Sequence, residues 1–134
     1  MLKTAQTRQR VHRTALPRAL VRRARPHVHA AHKRALKRAT LRDCAHRCVY
    51  CGVCLDSEMA TLDHVFPIAK GGMHTPGNVV AACGPCNRRK GDMLPQEFFH
   101  RYPGAGLNFL AYARVVHRAL KRGARRAVSL AMAA

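Results

Sequence analysis

The sequence predicts a small α+β fold that is stabilised by zinc and flanked by basic helices. Three observations lead to this prediction: two CxxC pairs, a strand–loop–strand–helix pattern that runs from one pair into the other, and positive charge that is confined to the two ends of the chain. The 134 residues are enough for one domain, and the formal net charge of +19 predicts a polyanionic partner. Aromatic residues make up only 5% of the chain, so we expect a thin core.

The charged residues are distributed unevenly along the chain. Residues 1–42 contain 13 Lys and Arg and no acidic residue, and residues 103–134 contain 6 and again no acidic residue. The segment 43–102 holds 6 basic residues and all 6 acidic ones, so it is formally neutral. We therefore divide the chain at these bounds into a basic N-terminal arm, a neutral central domain and a basic C-terminal segment.

The N-terminal arm contains two helix-breaking prolines, Pro17 and Pro26. The helix formers after Pro26 predict a helix from about His29 to His46. An arm rich in arginine and free of acids also matches an organellar transit peptide, but this arm is poor in serine and continues without a processing-like break. We favour an arm that binds phosphates or is simply solvated.

The C-terminal segment predicts an amphipathic helix. Apolar residues at helical spacing from Phe109 form one face, and basic residues that include Arg114 and Arg118 form the other. Gly123 is the expected end of this helix. We expect the apolar face to pack on the central domain and the basic face to contact a nucleic-acid backbone. The alternatives are a basic face that is only solvated and a helix on a membrane surface. No run of about 18 apolar residues is present, so no transmembrane helix is expected.

All six cysteines lie in the central domain. Two CxxC pairs supply four thiolates, the ligand number of a tetrahedral structural zinc site. Because no signal-peptide pattern begins the sequence, disulfides are the weaker alternative, and reduced thiols favour a cytoplasmic location. The preferred zinc ligands are Cys48, Cys51, Cys83 and Cys86.

Two further cysteines leave an alternative open. Cys54 is also spaced to pair with Cys51, and Cys44 lies one helical turn before Cys48. We prefer the first set because Gly52 follows the first pair and because Cys44 falls in the predicted helix. Cys44 and Cys54 are then spare thiols.

The segment between the CxxC pairs carries the candidate chemistry. It predicts a strand (60–63), a loop rich in glycine and proline, a second strand (79–82) and a helix that starts with the second pair. Asp63 and His64 end the first strand, and Asn87 follows the last cysteine. Phosphodiester hydrolysis needs a cation on oxygen ligands and a base that deprotonates water. Asp63 and Asn87 can be the ligands and His64 the base, provided that the strand bends or ends there, since neighbours on a strand point to opposite faces.

These motifs resemble the zinc-containing branch of the HNH endonucleases, which have a ββα-metal, treble-clef-like core. CVYCG matches the first zinc pair, LDHVFPIAKGG the first strand and loop, and NVVAACGPCNRRKGD the asparagine, the second zinc pair and the start of the metal helix. The resemblance covers residues 48–92. It implies that His64 is the general base, that Asn78 pins the loop and helps to orient this base, and that Asp63 and Asn87 bind catalytic Mg²⁺ or Mn²⁺. The family is named for a His–Asn–His motif. In this sequence Asn87 stands at the position of the final histidine, so the site is an HNN variant.

The resemblance implies an endonuclease that cuts DNA, with double-stranded DNA as the expected substrate. The basic residues expected on the DNA backbone are Arg88, Arg89, Lys90, Arg114 and Arg118. The alternative is a non-catalytic zinc-containing module that binds DNA or RNA. A dimer or a larger phage or host nucleoprotein complex fits this function, and no membrane partner is expected. His74 and His100 lack such support and are expected to be solvated. The candidate core residues are Phe66, Ile68, Val79, Val80, Phe98 and Phe99.

Overall fold

The computed structural model describes the backbone of residues 18–134 and the side chains of residues 29–134. The chain divides into two units, residues 1–31 and residues 32–134. The elements in chain order are α1 (Arg18–Asp43), β1 (Ala60–His64), a 3-10 helix (Ile68–Lys70), β2 (Val79–Cys83), α2 (Gly84–Lys90), α3 (Pro95–Arg101), α4 (Pro103–Tyr112) and α5 (Arg118–Ala133). The predicted small α+β fold is confirmed. None of the described helices is both long and apolar enough to cross a membrane.

The sheet consists of the antiparallel strands β1 and β2. Their register places Ala60 opposite Cys83 and His64 opposite Val79. Both strands begin at the predicted residue and extend one residue further than predicted. Helix α2 follows β2 directly, with Pro85 in its first turn, where the missing N–H of proline costs no helical hydrogen bond. The strand order therefore brings the second CxxC pair back to the start of β1.

The core contains a cluster of four aromatic rings. Tyr50, which lies between the two cysteines of the first CxxC pair, meets Phe98 edge-on at a centroid distance of 5.1 Å, and Phe99 lies 4.9 Å from Phe109. These four side chains are buried, and they pack together across the first CxxC pair, α3 and α4. Ile68 is 51% exposed on the 3-10 helix, so its predicted place in the core is wrong.

Helix α5 covers α3 and α4. Its buried side chains are small: Ala124, Ala127 and Val128. On α4, a Cβ built at Gly106 would lie 2.4 Å from Cγ2 of Val128, which is far inside van der Waals contact. The absence of a side chain at Gly106 is therefore what lets the two helices approach this closely.

The prediction of one amphipathic helix from Phe109 to Gly123 is wrong. Helix α4 ends at Tyr112, a new helix begins at Arg118, and Gly123 lies inside that helix rather than at its end. The C-terminal segment is therefore two helices joined by a short linker, and the Ala-rich tail continues the second one.

Tertiary hydrogen bonds explain the linker between α4 and α5. The amide of Arg114 donates to the carbonyl of Asp43 (3.3 Å), and the amide of His117 donates to the carbonyl of Gly77 (2.9 Å). These bonds satisfy backbone groups that a continuous helix would have used internally. Neither bond has a local sequence signature. Helical periodicity alone therefore could not predict the break between α4 and α5.

Helix α1 is longer at its start and shorter at its end than predicted. It continues through Pro26, because one proline costs about 3 kcal/mol in a helix and its neighbours here are mostly strong helix formers. It ends at Asp43 instead of His46, because Ala45 and His46 have positive φ angles of 56° and 53° and form a turn. The predictions for residues 1–17, including the break at Pro17, lie outside the described residues.

Candidate functional site

Four cysteines form a cluster where the first CxxC pair meets the start of α2. The sulfur atoms of Cys48, Cys51, Cys83 and Cys86 all lie within 4.8 Å of one another, and the sulfurs of Cys51 and Cys83 are 3.8 Å apart. A tetrahedral zinc ion with Zn–S bonds of about 2.3 Å requires sulfur separations of about 3.8 Å. The cluster therefore has the number, type and spacing of ligands that zinc requires.

The electrostatics of the cluster favour a bound cation. Burial opposes ionisation of Cys48, but hydrogen bonds from the backbone amides of Cys83, Cys51 and Tyr50 outweigh this effect and lower the pKa of its thiol. Burial and the neighbouring thiols raise the pKa of Cys86 far above that of a free cysteine. Four thiolates cannot form this close together without a positive charge between them, and a bound metal ion supplies that charge.

The two remaining cysteines lie outside this cluster. Cys44 is buried, and its sulfur accepts a long hydrogen bond of 3.4 Å from the amide of Ala81. Cys54 is exposed and pairs with Arg47 in an isolated antiparallel bridge. Cys44 therefore contacts β2 from the protein interior. Cys54 closes the turn that contains the first CxxC pair.

Asp63 is a buried carboxylate with two partners on one oxygen. Its Oδ2 accepts a hydrogen bond from the Tyr50 hydroxyl (2.5 Å) and forms an ion pair with Nζ of Lys90 (3.3 Å). Burial raises the pKa of Asp63, and the nearby Lys90 and Tyr50 act in the opposite direction. Within the described part of the chain, Oδ1 has no hydrogen-bond donor, so it is the oxygen that can bind a cation.

The side-chain amide of Asn87 is held through its nitrogen, as the carboxylate of Asp63 is held through one oxygen. Its side-chain nitrogen donates to Oγ1 of Thr61 (3.0 Å) and to the carbonyl of Leu62 (3.4 Å). These bonds fix the orientation of the amide, and among the described residues no donor contacts its Oδ1. Thr61 and Asp63 are two residues apart on β1 and share a face of the sheet, so Asp63 and Asn87 lie on the same side.

His64 is the last residue of β1, where it pairs with Val79 of β2. It is half-buried, and its Nε2 lies 2.8 Å from Nδ1 of His74. Burial lowers the pKa of His64, and the nearby His74 and Lys90 act in the same direction, while Asp63 opposes them. A neutral imidazole with a free lone pair is the form that can accept a proton from water.

Lys90 connects the carboxylate of Asp63 with the end of β1. Its Nζ donates to the backbone carbonyl of His64 (2.9 Å) in addition to the ion pair with Asp63, and its side chain is 0% exposed. Burial lowers the pKa of Lys90, and Asp63 counteracts this. The expected contact of Lys90 with the DNA backbone is therefore wrong, because the side chain points into the protein to reach Asp63.

Asn78 closes the loop between the strands. Its Oδ1 accepts a hydrogen bond from the amide of Phe66 (2.8 Å), and its Nδ2 donates to the carbonyls of Phe66 (3.0 Å) and Met73 (2.8 Å). Asn78 is buried, so these bonds are shielded from water. The side chain thus holds both ends of the loop that follows His64.

The other basic candidates are exposed. Arg88 and Arg89 project from α2, Arg114 lies in the linker, and Arg118 begins α5. The guanidinium of Arg89 also lies over the ring of Tyr102, at 5.6 Å from its centroid. These four arginines are free to contact a polyanion, in contrast to Lys90.

The contacts of three residues in this site were not predicted from the sequence. Lys90 lies three residues after Asn87 on α2, and this helical spacing is a signal that could have placed both on one face. Tyr50 lies inside the first CxxC pair, but nothing local indicates that it reaches Asp63. His74 was expected to be solvated, and only the path of the loop brings it to His64.

Comparison with known proteins bears on the family and the fold. Residues 48–103 match the family model described as HNH endonuclease. Among crystal structures, the chain is similar to the Type II-C Cas9 enzyme from Actinomyces naeslundii, with a TM-score of 0.52 and 22% sequence identity. The match covers 83% of this chain but only 14% of that chain, and at this identity the likeness concerns the fold alone. No curated protein matches the chain. The family match over residues 48–103 supports a nuclease-type function.

Proposed function

We propose that this protein is a metal-dependent HNH endonuclease that hydrolyses DNA phosphodiester bonds with a water molecule activated by His64. One observation carries the proposal: the buried Nζ of Lys90 contacts both the Asp63 carboxylate (3.3 Å) and the backbone carbonyl of His64 (2.9 Å). The candidate cation ligand and the candidate base are thus fixed at the same end of β1. A protein that only binds nucleic acid has no need of this arrangement.

Asp63 and Asn87 would hold the catalytic divalent ion. Each has one side-chain atom bound by neighbouring groups, and each keeps one oxygen without a donor among the described residues. Carboxylate and amide oxygens are the ligand types that Mg²⁺ and Mn²⁺ prefer. When bound, such an ion polarises a phosphate oxygen and stabilises the charge that develops on the leaving oxygen.

His64 would take the proton of the attacking water. Its lowered pKa keeps the imidazole neutral at pH 7, so a ring nitrogen has a lone pair available. Asn78 supports this role indirectly, because its bonds to Phe66 and Met73 hold the loop that starts directly after His64. The base is therefore attached to a strand on one side and to a pinned loop on the other.

The four clustered cysteines would hold a structural zinc ion. They come from the turn before β1, the end of β2 and the first turn of α2, so zinc would join the parts of the chain that carry Asp63 and Asn87. A structural zinc site can contribute on the order of 10 kcal/mol to folding, which suits a small core. Thiolate ligation requires reduced cysteines, and we therefore also propose a cytoplasmic location.

The exposed arginines would bind the DNA backbone. Arg88 and Arg89 on α2 and Arg114 and Arg118 near α5 are exposed, and the basic arms 1–42 and 103–134 would add affinity without base selection. We propose double-stranded DNA as the substrate. Because such contacts release counterions, binding should weaken steeply as the salt concentration rises.

The test is cleavage of supercoiled plasmid DNA by the purified, zinc-loaded protein with Mg²⁺ or Mn²⁺. We expect the wild type to nick the plasmid and His64→Ala to lose this activity, because a general base contributes roughly a 10²- to 10⁴-fold acceleration. His100→Ala is the matched control, because His100 is exposed and lies outside the site. Equal cleavage by the wild type and His64→Ala would refute the role of the base. Tight binding without cleavage in either metal would support the alternative, a zinc-containing binding module.

A further inference from the structure

Two histidine side chains meet at the end of β1. Nε2 of His64 lies 2.8 Å from Nδ1 of His74, and the ring centroids are 5.1 Å apart with an interplanar angle of 50°. This is hydrogen-bond geometry between the rings. His74 is exposed and lies in the loop between β1 and β2, so the contact is made by the path of that loop.

The loop that carries His74 is held in place by hydrogen bonds at the two residues directly before it. The carbonyl of Met73 accepts a hydrogen bond from the side chain of Asn78 (2.8 Å), and the amide of Gly72 donates to the carbonyl of Pro67 (2.8 Å). A Cβ at Gly72 would lie 1.9 Å from the carbonyl oxygen of Phe66, so this tight approach requires glycine. His74 therefore faces His64 from a fixed backbone.

The contact restricts where the proton of His64 resides. A neutral imidazole has one N–H donor and one lone pair, so a bond between two neutral rings uses the donor of one and the lone pair of the other. If His64 donates from Nε2, its Nδ1 keeps a free lone pair. If His74 donates instead, Nε2 of His64 is occupied and its Nδ1 carries the proton. Only the first arrangement leaves His64 able to accept a proton from water.

We propose that His74 is a positioning residue for His64: its Nδ1 accepts the Nε2 proton of His64 and so keeps the Nδ1 lone pair of His64 free for the attacking water. This inference rests on the proposed function of His64 as the base. Within the described residues, Nδ1 of His64 has no hydrogen-bond partner, which agrees with a nitrogen reserved for substrate water. His74 would act through His64 and would not touch the reacting atoms.

The test is the protonation pattern of the His64 ring in the full-length, zinc-loaded protein. Two-bond and three-bond ¹H–¹⁵N correlation spectra at about pH 8, where histidine is neutral, distinguish the two tautomers. His64→Ala identifies the His64 signals. We expect the proton on Nε2 in the wild type and a mixture of tautomers in His74→Ala. A proton on Nδ1 in the wild type, or an unchanged tautomer in His74→Ala, would overturn the proposal.

Cleavage kinetics of the same variants provide the second readout. We expect kcat of His74→Ala to fall roughly tenfold, a part of the contribution of a general base, with KM for DNA unchanged. His74→Gln should recover the tautomer and most of the rate, because its amide oxygen can accept the same proton. His100→Ala should match the wild type in both readouts. An unchanged kcat in His74→Ala would overturn the positioning role. A wild type that cleaves no DNA would refute the proposed function, whereas the ring measurement decides the His74 contact independently of cleavage.

Discussion

Replacing Lys90 with methionine should destabilise the protein by about 3–5 kcal/mol, the usual cost of removing one partner from a buried ion pair. Lys90 and Asp63 are 0% and 7% exposed, and their charged atoms are 3.3 Å apart. Without Lys90, the carboxylate of Asp63 remains buried, with the Tyr50 hydroxyl as its one described donor. The carbonyl of His64 also loses a donor at 2.9 Å. Methionine fills a similar volume, so the loss of charge outweighs the loss of packing.

The pKa shifts explain why the pair should be costly to break without being a large source of stability. Burial lowers the pKa of Lys90 and raises the pKa of Asp63, although each charge favours the other. Burial therefore opposes both charges, and their attraction offsets only part of that cost. The double variant Asp63→Asn/Lys90→Met should accordingly be more stable than Lys90→Met alone.

The assay is urea unfolding of the zinc-loaded protein at pH 7, followed by circular dichroism. A domain of this size has a free energy of unfolding of about 5–15 kcal/mol, so a loss of 3–5 kcal/mol is readily measured. Arg88→Met is the matched control, because Arg88 is exposed on the same helix, and it should change stability by no more than about 0.5 kcal/mol. A loss below about 1 kcal/mol for Lys90→Met, or strict additivity in the double variant, would refute the reasoning.

Three further predictions concern zinc, pH and helix packing. Chelation of zinc should unfold the domain, and retained structure without zinc, measured by circular dichroism, would contradict this. Cys86→Ser should lose the metal, whereas Cys54→Ser should keep about one zinc per chain. Because the pKa of His64 is lowered, mainly by burial, its neutral form should persist as pH falls, and the acid limb of kcat/KM should lie below about pH 6.5; a limb above about pH 7 would contradict it. Gly106→Ala should lower the free energy of unfolding in urea by about 1–3 kcal/mol, because the added Cβ would lie 2.4 Å from Cγ2 of Val128. An unchanged free energy of unfolding would contradict this, because it would mean that α4 and α5 can move apart without cost.

The elements around the cysteine cluster could be predicted because their signals are local. Each CxxC pair places two thiols in one turn, and β2 is a short apolar run that lies between Gly77 and Gly84. The start of α2 was predictable because Pro85 follows the strand and favours the first helical turn. The four cysteines, both strands and the beginning of α2 therefore agree with the sequence.

The structural errors come from contacts between distant parts of the chain. Helical periodicity indicated a single helix through residues 113–117, but the amides of Arg114 and His117 bond to carbonyls in remote segments. Lys90 was expected to face DNA with its neighbours, yet the buried carboxylate of Asp63 draws it inward. A sequence pattern describes which residues lie on one face of an element and does not say which partner that face meets.

The site was predictable in its residue types but not in how these residues are held. Asp63 and His64 stand out because a carboxylate and an imidazole occur together between the two CxxC pairs, and Asn87 stands out because its amide directly follows the second pair. The supporting contacts of Tyr50 and His74 depend on how the first CxxC pair and the long loop fold over β1, and no local spacing encodes this.

The central claim is that His64 activates water for the hydrolysis of DNA. The most direct test is the single-turnover cleavage rate of a labelled DNA duplex in Mg²⁺, measured together with the binding affinity of the same duplex, for the wild type and His64→Ala. We expect His64→Ala to bind the duplex as tightly as the wild type and to cleave it at least about 100-fold more slowly. A wild type that binds the duplex and leaves it intact in both Mg²⁺ and Mn²⁺, or a His64→Ala variant that cleaves at the wild-type rate, would contradict the claim.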